Sequence, residues 1–154
     1  MKTVTIYTDG ACSCNPGPGG WAAILIYGEK KKEICGGETE TTNNRMEMLA
    51  VINGLKALKV KCKANVYSDS AYVVNSIANG WIYGWAKNGW KKADNKPVKN
   101  RELWEELLSL LKKHDVEFFK VKGHADDELN NRCDFLARAE AEKVKVESLK
   151  IRTN

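Results

Sequence analysis

Residues 4–9 alternate along the chain. Val4, Ile6 and Thr8 fall on one side and Thr5, Tyr7 and Asp9 on the other, the period-two pattern of a half-buried strand. "CNPGPGG" then reads as a turn, "WAAILIY" (21–27) as a second strand, and "GEKKKE" as a polar link into a third strand at about 33–41. Links this short predict an antiparallel meander. From Asn44 to Leu58 the period becomes helical, with Met48, Val51, Ile52, Leu55 and Leu58 at three- and four-residue spacing, and Asn44 with Glu47 matches a capping box. A strand at 64–68, short helices at 70–79 and 81–87, and a loop broken by Gly89 and Pro97 follow. The amphipathic run "RELWEELLSLLKK" (101–113), a strand at 116–122 and a last helix over 127–143 complete the pattern.

Strand–helix–strand connections of this length give parallel pairing, so the first, fourth and fifth strands are expected to be parallel neighbours. The predicted fold class is α/β: a mixed five-stranded sheet, three antiparallel strands plus parallel strands, flanked by helices. One domain over 1–142 accounts for the pattern, and 143–154 reads as a C-terminal tail without a clear pattern, a candidate for mobility.

The first and fourth strands end alike, in "TIYTDG" and "NVYSDS". If they are parallel neighbours, Asp9 and Asp69 stand at equivalent carboxyl ends, where ligand sites of such sheets lie. Two adjacent carboxylates repel unless a proton or a cation intervenes. Glu47 is the one charge on the helical stripe that carries Val51, Gly54 and Leu58, and Asp134 lies early in the last helix. Four such acids are hard oxygen ligands, suited to Mg²⁺ or Mn²⁺ rather than zinc. His124, ten residues before Asp134, is placed to handle a proton near neutral pH. His114, at the opposite end of the fifth strand, is read as a surface residue.

Composition narrows the function classes. No run of eighteen apolar residues occurs, so no transmembrane helix is expected. The chain enters a strand pattern without a basic leader or apolar core segment, which predicts no signal peptide and a cytoplasmic location. Five scattered cysteines without a CxxC pair read as reduced thiols. The net charge is +5, and the whole excess lies in 81–101, where Lys87, Lys91, Lys92, Lys96, Lys99 and Arg101 face the single acid Asp94. Trp81, Trp85 and Trp90 interleave with Lys87, Lys91 and Lys92, the composition of a basic protrusion with an aromatic platform for a polyanion. Lysines there contact phosphates without reading sequence. Trp104, on the amphipathic helix, reads as core.

Five motifs in order, "YTDGACSCNPGPGGWAAIL", "TTNNRMEMLAVINGLKAL", "YSDSAYVVNSI", "GWKKADNKPVKNRELW" and "VKGHA" followed by "NNRCDFLA", resemble bacterial ribonuclease HI over about residues 1–142. The resemblance implies a ribonuclease H-like sheet. It also implies an endonuclease that cuts the RNA strand of an RNA–DNA hybrid, leaving 3′-hydroxyl and 5′-phosphate ends. By it, Asp9, Glu47, Asp69 and Asp134 are the metal-binding catalytic acids. The metal would be Mg²⁺, with two ions when substrate is bound and Mn²⁺ as a substitute, and His124 would assist proton traffic or product departure. Trp81 and Trp85 match residues that grip the DNA strand, with Thr42, Asn43 and Asn100 around a phosphate. Cys12, Asn15, Asn43 and Asn44 match positions facing the RNA in the minor groove, where amides can test for a 2′-hydroxyl. The chain shows no linker-like stretch or second-domain pattern, so a free-standing monomer is expected.

Two departures stand out. Several relatives carry arginine two residues before the position of Thr42, where this chain has Glu40, and Arg45 or Lys99 is the candidate to compensate. The loop after His124 carries Asp126, Asp127 and Glu128, read as an acidic helix start that complements the helix dipole. A non-catalytic hybrid-binding module and an integrase-type strand transferase are the competing readings. The complete set of acids argues against the first, and the hybrid-binding window against the second.

Overall fold

A computed structural model describes residues 1–121 and 127–153. Its elements are β1 (Lys2–Cys12), β2 (Gly17–Tyr27), β3 (Lys30–Thr41), α1 (Asn43–Lys56), β4 (Cys62–Ser68), α2 (Ala71–Ala78), α3 (Trp81–Lys87), α4 (Arg101–Lys113), β5 (Asp115–Lys120) and α5 (Glu128–Thr153). They build one mixed sheet in the order β3-β2-β1-β4-β5. β1, β2 and β3 pair antiparallel, whereas β1–β4 and β4–β5 are parallel, with Tyr7 beside Tyr67 and Tyr67 beside Phe119. Those three rings stack in a row across the sheet, at centroid distances of 4.7 and 5.0 Å.

Alternation in β1 splits the core in two. Val4 and Ile6 join Ala23, Ala64 and Val66 beneath Met48, Val51, Ile52 and Leu55 of α1 and Leu103, Trp104 and Leu107 of α4. On the other face, Ala22 and Ile24 pack against Cys133 and Ala137 of α5, with Tyr7 and Ala11 at the edge. Two glycines set how closely the helices sit. A Cβ on Gly20 would collide with the Ala137 carbonyl and lie 2.6 Å from the Ala141 nitrogen. One on Gly10 would lie 2.5 Å from the Glu47 nitrogen and 2.6 Å from the Met46 carbonyl carbon. Each helix thus rests backbone to backbone on the strand beneath it.

Several local expectations change. The cap of α1 is Thr42, whose Oγ1 accepts from the Arg45 N–H at 3.2 Å, so Asn44 is already inside the helix and Glu47 belongs to no capping box. Part of the glycine-rich segment read as a turn is strand: Gly19 and Gly20 pair with Cys12 and Ala11. α5 runs unbroken to Thr153, ten residues beyond its expected end, because Lys, Glu, Val and Leu all sustain a helix and no Gly or Pro interrupts them. Its start is as read, with Asp127 Oδ1 accepting from the Asn130 N–H at 3.1 Å.

His114 is buried, not on the surface. Its Nδ1 accepts the Cys62 N–H at 3.1 Å, and its Nε2 is buried without a hydrogen-bond partner among the described residues. Burial, and then the nearby Lys113 charge, lower its pKa. The unfolded chain therefore takes up a proton before the native one. Stability is complete above the ordinary imidazole pKa of about 6.5 and falls as pH drops below it. Urea titrations between pH 5 and 8 are expected to show this slope in the wild type and its loss in His114→Asn. Parallel profiles would remove His114 as the cause.

Candidate active site

Three elements deliver three acids to one corner of the sheet. Asp9 ends the buried part of β1, with Oδ1 accepting from the Gly10 N–H at 2.8 Å, and is only 4% exposed. The parallel register of β1 and β4 carries Asp69 to the equivalent place one residue past Ser68, where it is exposed. Thr8 Oγ1 fastens the two strands there by donating to the Tyr67 carbonyl at 2.9 Å. Glu47 comes from the second turn of α1, brought down over β1 by the missing side chain of Gly10.

Asp9, Glu47 and Asp69 each offer a carboxylate oxygen within 4.8 Å of the other two. At that separation two charges repel by roughly 3 kcal/mol or more at an effective dielectric of about 20. Burial first, then Asp69, raises the Asp9 pKa, against the opposing Gly10 N–H. Burial first, then Asp69 and Asp9, raises that of Glu47 further. Glu47 Oε2 is shielded from solvent and accepts no hydrogen bond from the described residues. A carboxylate oxygen facing other carboxylates is satisfied only by a shared proton or a cation, and an all-oxygen donor set suits a hard divalent ion.

Asp134 abuts Asp9 from the first turns of α5 but is not part of the compact triad. Its Oδ2 is taken by Arg138, one turn on, at 2.8 Å. Cys133 lies beneath the cluster, fully buried, its Sγ donating to the Ala22 carbonyl at 3.2 Å. Burial, and then the surrounding acids, push its thiol pKa far up. His124 and Asp126 lie outside the described residues.

The crowding is a stability effect whose sign is fixed. With its folded pKa raised, Glu47 holds its proton longer in the native state than in the unfolded chain. Metal-free stability therefore falls as pH rises above the ordinary glutamate value of about 4.3. In EDTA, Glu47→Gln is expected to raise the melting temperature at pH 7 by several degrees, roughly what 1–2 kcal/mol gives a chain of this size, and to flatten its pH dependence. Calorimetry from pH 4.5 to 8 checks it, and a variant that melts lower throughout would refute the crowding.

Beside the acids, a cavity of about 630 Å³ is lined by Asn15, Thr42, Asn43, Asn44, Tyr72, Lys99 and Asn100. Six of these were expected from the sequence. Asn15 Oδ1 accepts the Asn43 N–H at 3.2 Å, tying the β1–β2 loop to the start of α1. Tyr72 was missed, although it lies two residues past the cap Ser70, in the first turn of α2; its hydroxyl accepts from Trp104 Nε1 at 3.1 Å. Arg45 is committed elsewhere, to Glu38 and to Glu102, each at 2.7 Å, so Lys99 is the cation facing this cavity. Cys12 lines a different cavity, together with Arg138.

The basic window divides. Trp81 is 47% exposed, whereas Trp85 and Trp90 are half-buried against the main core and Trp104 is fully buried. Val98 is buried too, and its N–H donates to the Trp90 carbonyl at 3.0 Å, so the protrusion has an apolar root. Lys87, Lys91, Lys92 and Lys99 are exposed and pair with no acid among the described residues.

An RNase H family model matches residues 1–142. The chain belongs to the RNase H family. The Ribonuclease H of Thermoanaerobacter sp. (strain X514) is 62% identical over 137 residues, 89% of this chain and 88% of that protein. The Ribonuclease H of Caldicellulosiruptor saccharolyticus is 62% identical over 139 residues, 90% of this chain and 96% of that protein. Among solved structures of RNase H proteins, LC9-RNase H1, a type 1 RNase H with the type 2 active-site motif, superposes with a TM-score of 0.82 at 29% identity, over 93% of this chain and 74% of that one. LC11-RNase H1, solved in complex with RNA/DNA hybrid, shares the fold at a TM-score of 0.65 and 22% identity, over 91% of this chain and 97% of that one.

Proposed function

We infer that this protein is a metal-dependent endoribonuclease that hydrolyses the RNA strand of RNA–DNA hybrids, leaving 3′-hydroxyl and 5′-phosphate ends. The observation that carries the reading is the convergence of Asp9, Glu47 and Asp69, with a shielded Glu47 oxygen that has no donor among the described residues. Membership of the RNase H family supports it. Asp9, Glu47 and Asp69 hold the metal, and Asp134 contributes from α5. Mg²⁺ is the working ion, two of them with substrate bound, and Mn²⁺ substitutes. When bound, the ions supply a water of lowered pKa and charge for the departing 3′-oxygen.

The protein's own groups do the rest. Lys99 supplies charge for a phosphate in the cavity formed by Thr42, Asn43 and Asn100. The amides of Asn15 and Asn44, with Cys12, face the RNA sugar edge, and His124 handles the proton. Trp81 and Trp85, flanked by Lys87, Trp90, Lys91 and Lys92, grip the DNA strand. No helix among the described residues is long and apolar enough to cross a membrane. We assign the chain to the cytoplasm, as a monomer.

Incubating labelled RNA–DNA hybrid, duplex RNA and duplex DNA with Mg²⁺, with and without EDTA, tests the reading. Cleavage is expected only in the RNA strand of the hybrid and only without EDTA. Binding without cleavage, or cleavage of duplex DNA, would replace it with one of the competing readings. Neutralising Lys87, Lys91 and Lys92 to Gln is expected to raise KM and to lower the salt slope of hybrid binding by about two, with kcat little changed. An unchanged slope would take the lysines off the phosphates.

A further inference from the structure

Within the acidic corner, Asp134 differs from the other acids in having a cation of its own. Arg138 Nη2 lies 2.8 Å from Asp134 Oδ2, whereas Asp9, Glu47 and Asp69 pair with no basic side chain among the described residues. The pair has the favourable helical order, acid first and base four residues on. Its arginine is 69% exposed, so the core does not need it. On its other side Arg138 borders a cavity of about 250 Å³, lined also by Ala11, Cys12, Ser13, Ala141 and Glu142. Glu142 is again four residues on. Arg138 therefore stands between two acids, each about one helical turn away along α5, with open space beside it. The stage is rigid: α5 rests at Ala137 and Ala141 on Gly20, which pairs with Ala11 of β1.

We propose that Arg138 is the resident counter-cation of Asp134, leaving it for the groove beside Glu142 when a divalent ion loads, and thereby sets the ion concentration at which that side of the site fills. The charges require the exchange. Asp134 already abuts Asp9, and an ion held by both carboxylates would repel a guanidinium on the same Oδ2, while Glu142, on the same cavity, offers it another carboxylate. Arg138 is thus a positioning residue for the metal. It touches neither the scissile bond nor the triad. This rests on the reading of Asp134 as a metal ligand.

Calorimetric titration of the intact protein with Mg²⁺ and with Mn²⁺, without nucleic acid, tests the proposal. Arg138→Gln is expected to tighten binding by about two- to fivefold, the span an exposed ion pair can supply. Arg138→Lys separates a specific pair from a diffuse field. It keeps the charge but loses the planar two-nitrogen grip, so pairing predicts a shift toward the Gln variant and a field predicts the wild-type value. The Arg138 guanidinium ¹⁵N resonances are expected to shift during the wild-type Mg²⁺ titration and to stay fixed in Asp134→Asn. Unchanged or weaker ion binding in Arg138→Gln, a wild-type affinity in Arg138→Lys, or static guanidinium resonances would each overturn it. Asp134→Asn in the same calorimetry tells the two failures apart: weakened binding there leaves the ligand reading standing, and unaltered binding removes both.

Discussion

Asp69→Asn is expected to lower single-turnover cleavage of a hybrid by at least about a thousandfold, the scale on which removing a metal ligand or a charge-stabilising group acts. Hybrid affinity measured in Ca²⁺ should stay within a few-fold of wild type. The reason is local. Asp69 sits past the end of β4, exposed, so an isosteric amide disturbs no packing, and the change acts on the oxygen it offers to the triad. Asp9→Asn should lose activity equally, but it also removes a buried charge, so its melting temperature in EDTA should rise. Quench-flow cleavage and fluorescence anisotropy separate chemistry from binding. Near-normal turnover in either variant would dismiss the triad as the metal site.

How much of this could be read from the chain alone depends on how local each cause is. The strands were visible because one buried face imposes period two, and the matching ends of β1 and β4 pointed to Asp9 and Asp69 before any coordinates. Glu47 was visible as a charge on an apolar stripe. What escaped the reading depends on distant partners. His114 has no neighbour in sequence that marks it as buried; its hydrogen bond comes from Cys62, 52 residues away. Gly19 and Gly20 looked like turn because glycine carries no side-chain period, yet Gly20 is bare so that α5 can lie on it. Tyr72 joins the polar cavity only because α2 and α4 meet there. Arg45 seemed available for phosphate until Glu38 and Glu102, from two other elements, proved to hold it.

Gly10→Ala carries the second large effect, and it couples fold to chemistry. The added methyl would meet the backbone of Met46 and Glu47, and backbone has no rotamer to yield. α1 must lift from β1, which costs about 1–3 kcal/mol as overpacking. The same movement withdraws Glu47 from Asp9 and Asp69. Both a lower urea midpoint and a Mg²⁺ affinity weakened about tenfold or more are expected, a degree of misplacement known to be severe for positioned groups. Gly84→Ala is the control, because a Cβ there meets nothing within 4 Å. A Gly10→Ala protein with wild-type stability and ion affinity would show that the close approach of α1 is not what assembles the corner.

Cys133 gives the acidic corner a chemical bias that the carboxylates alone do not. It is the sulfur directly beneath them, but its proton is locked between the Ala22 carbonyl and the negative charge above, so no thiolate is on offer at neutral pH. Oxidants find a sulfur sealed between a helix and the sheet. The same helix that presents Asp134 therefore keeps the one thiol under the acids out of reach of solvent.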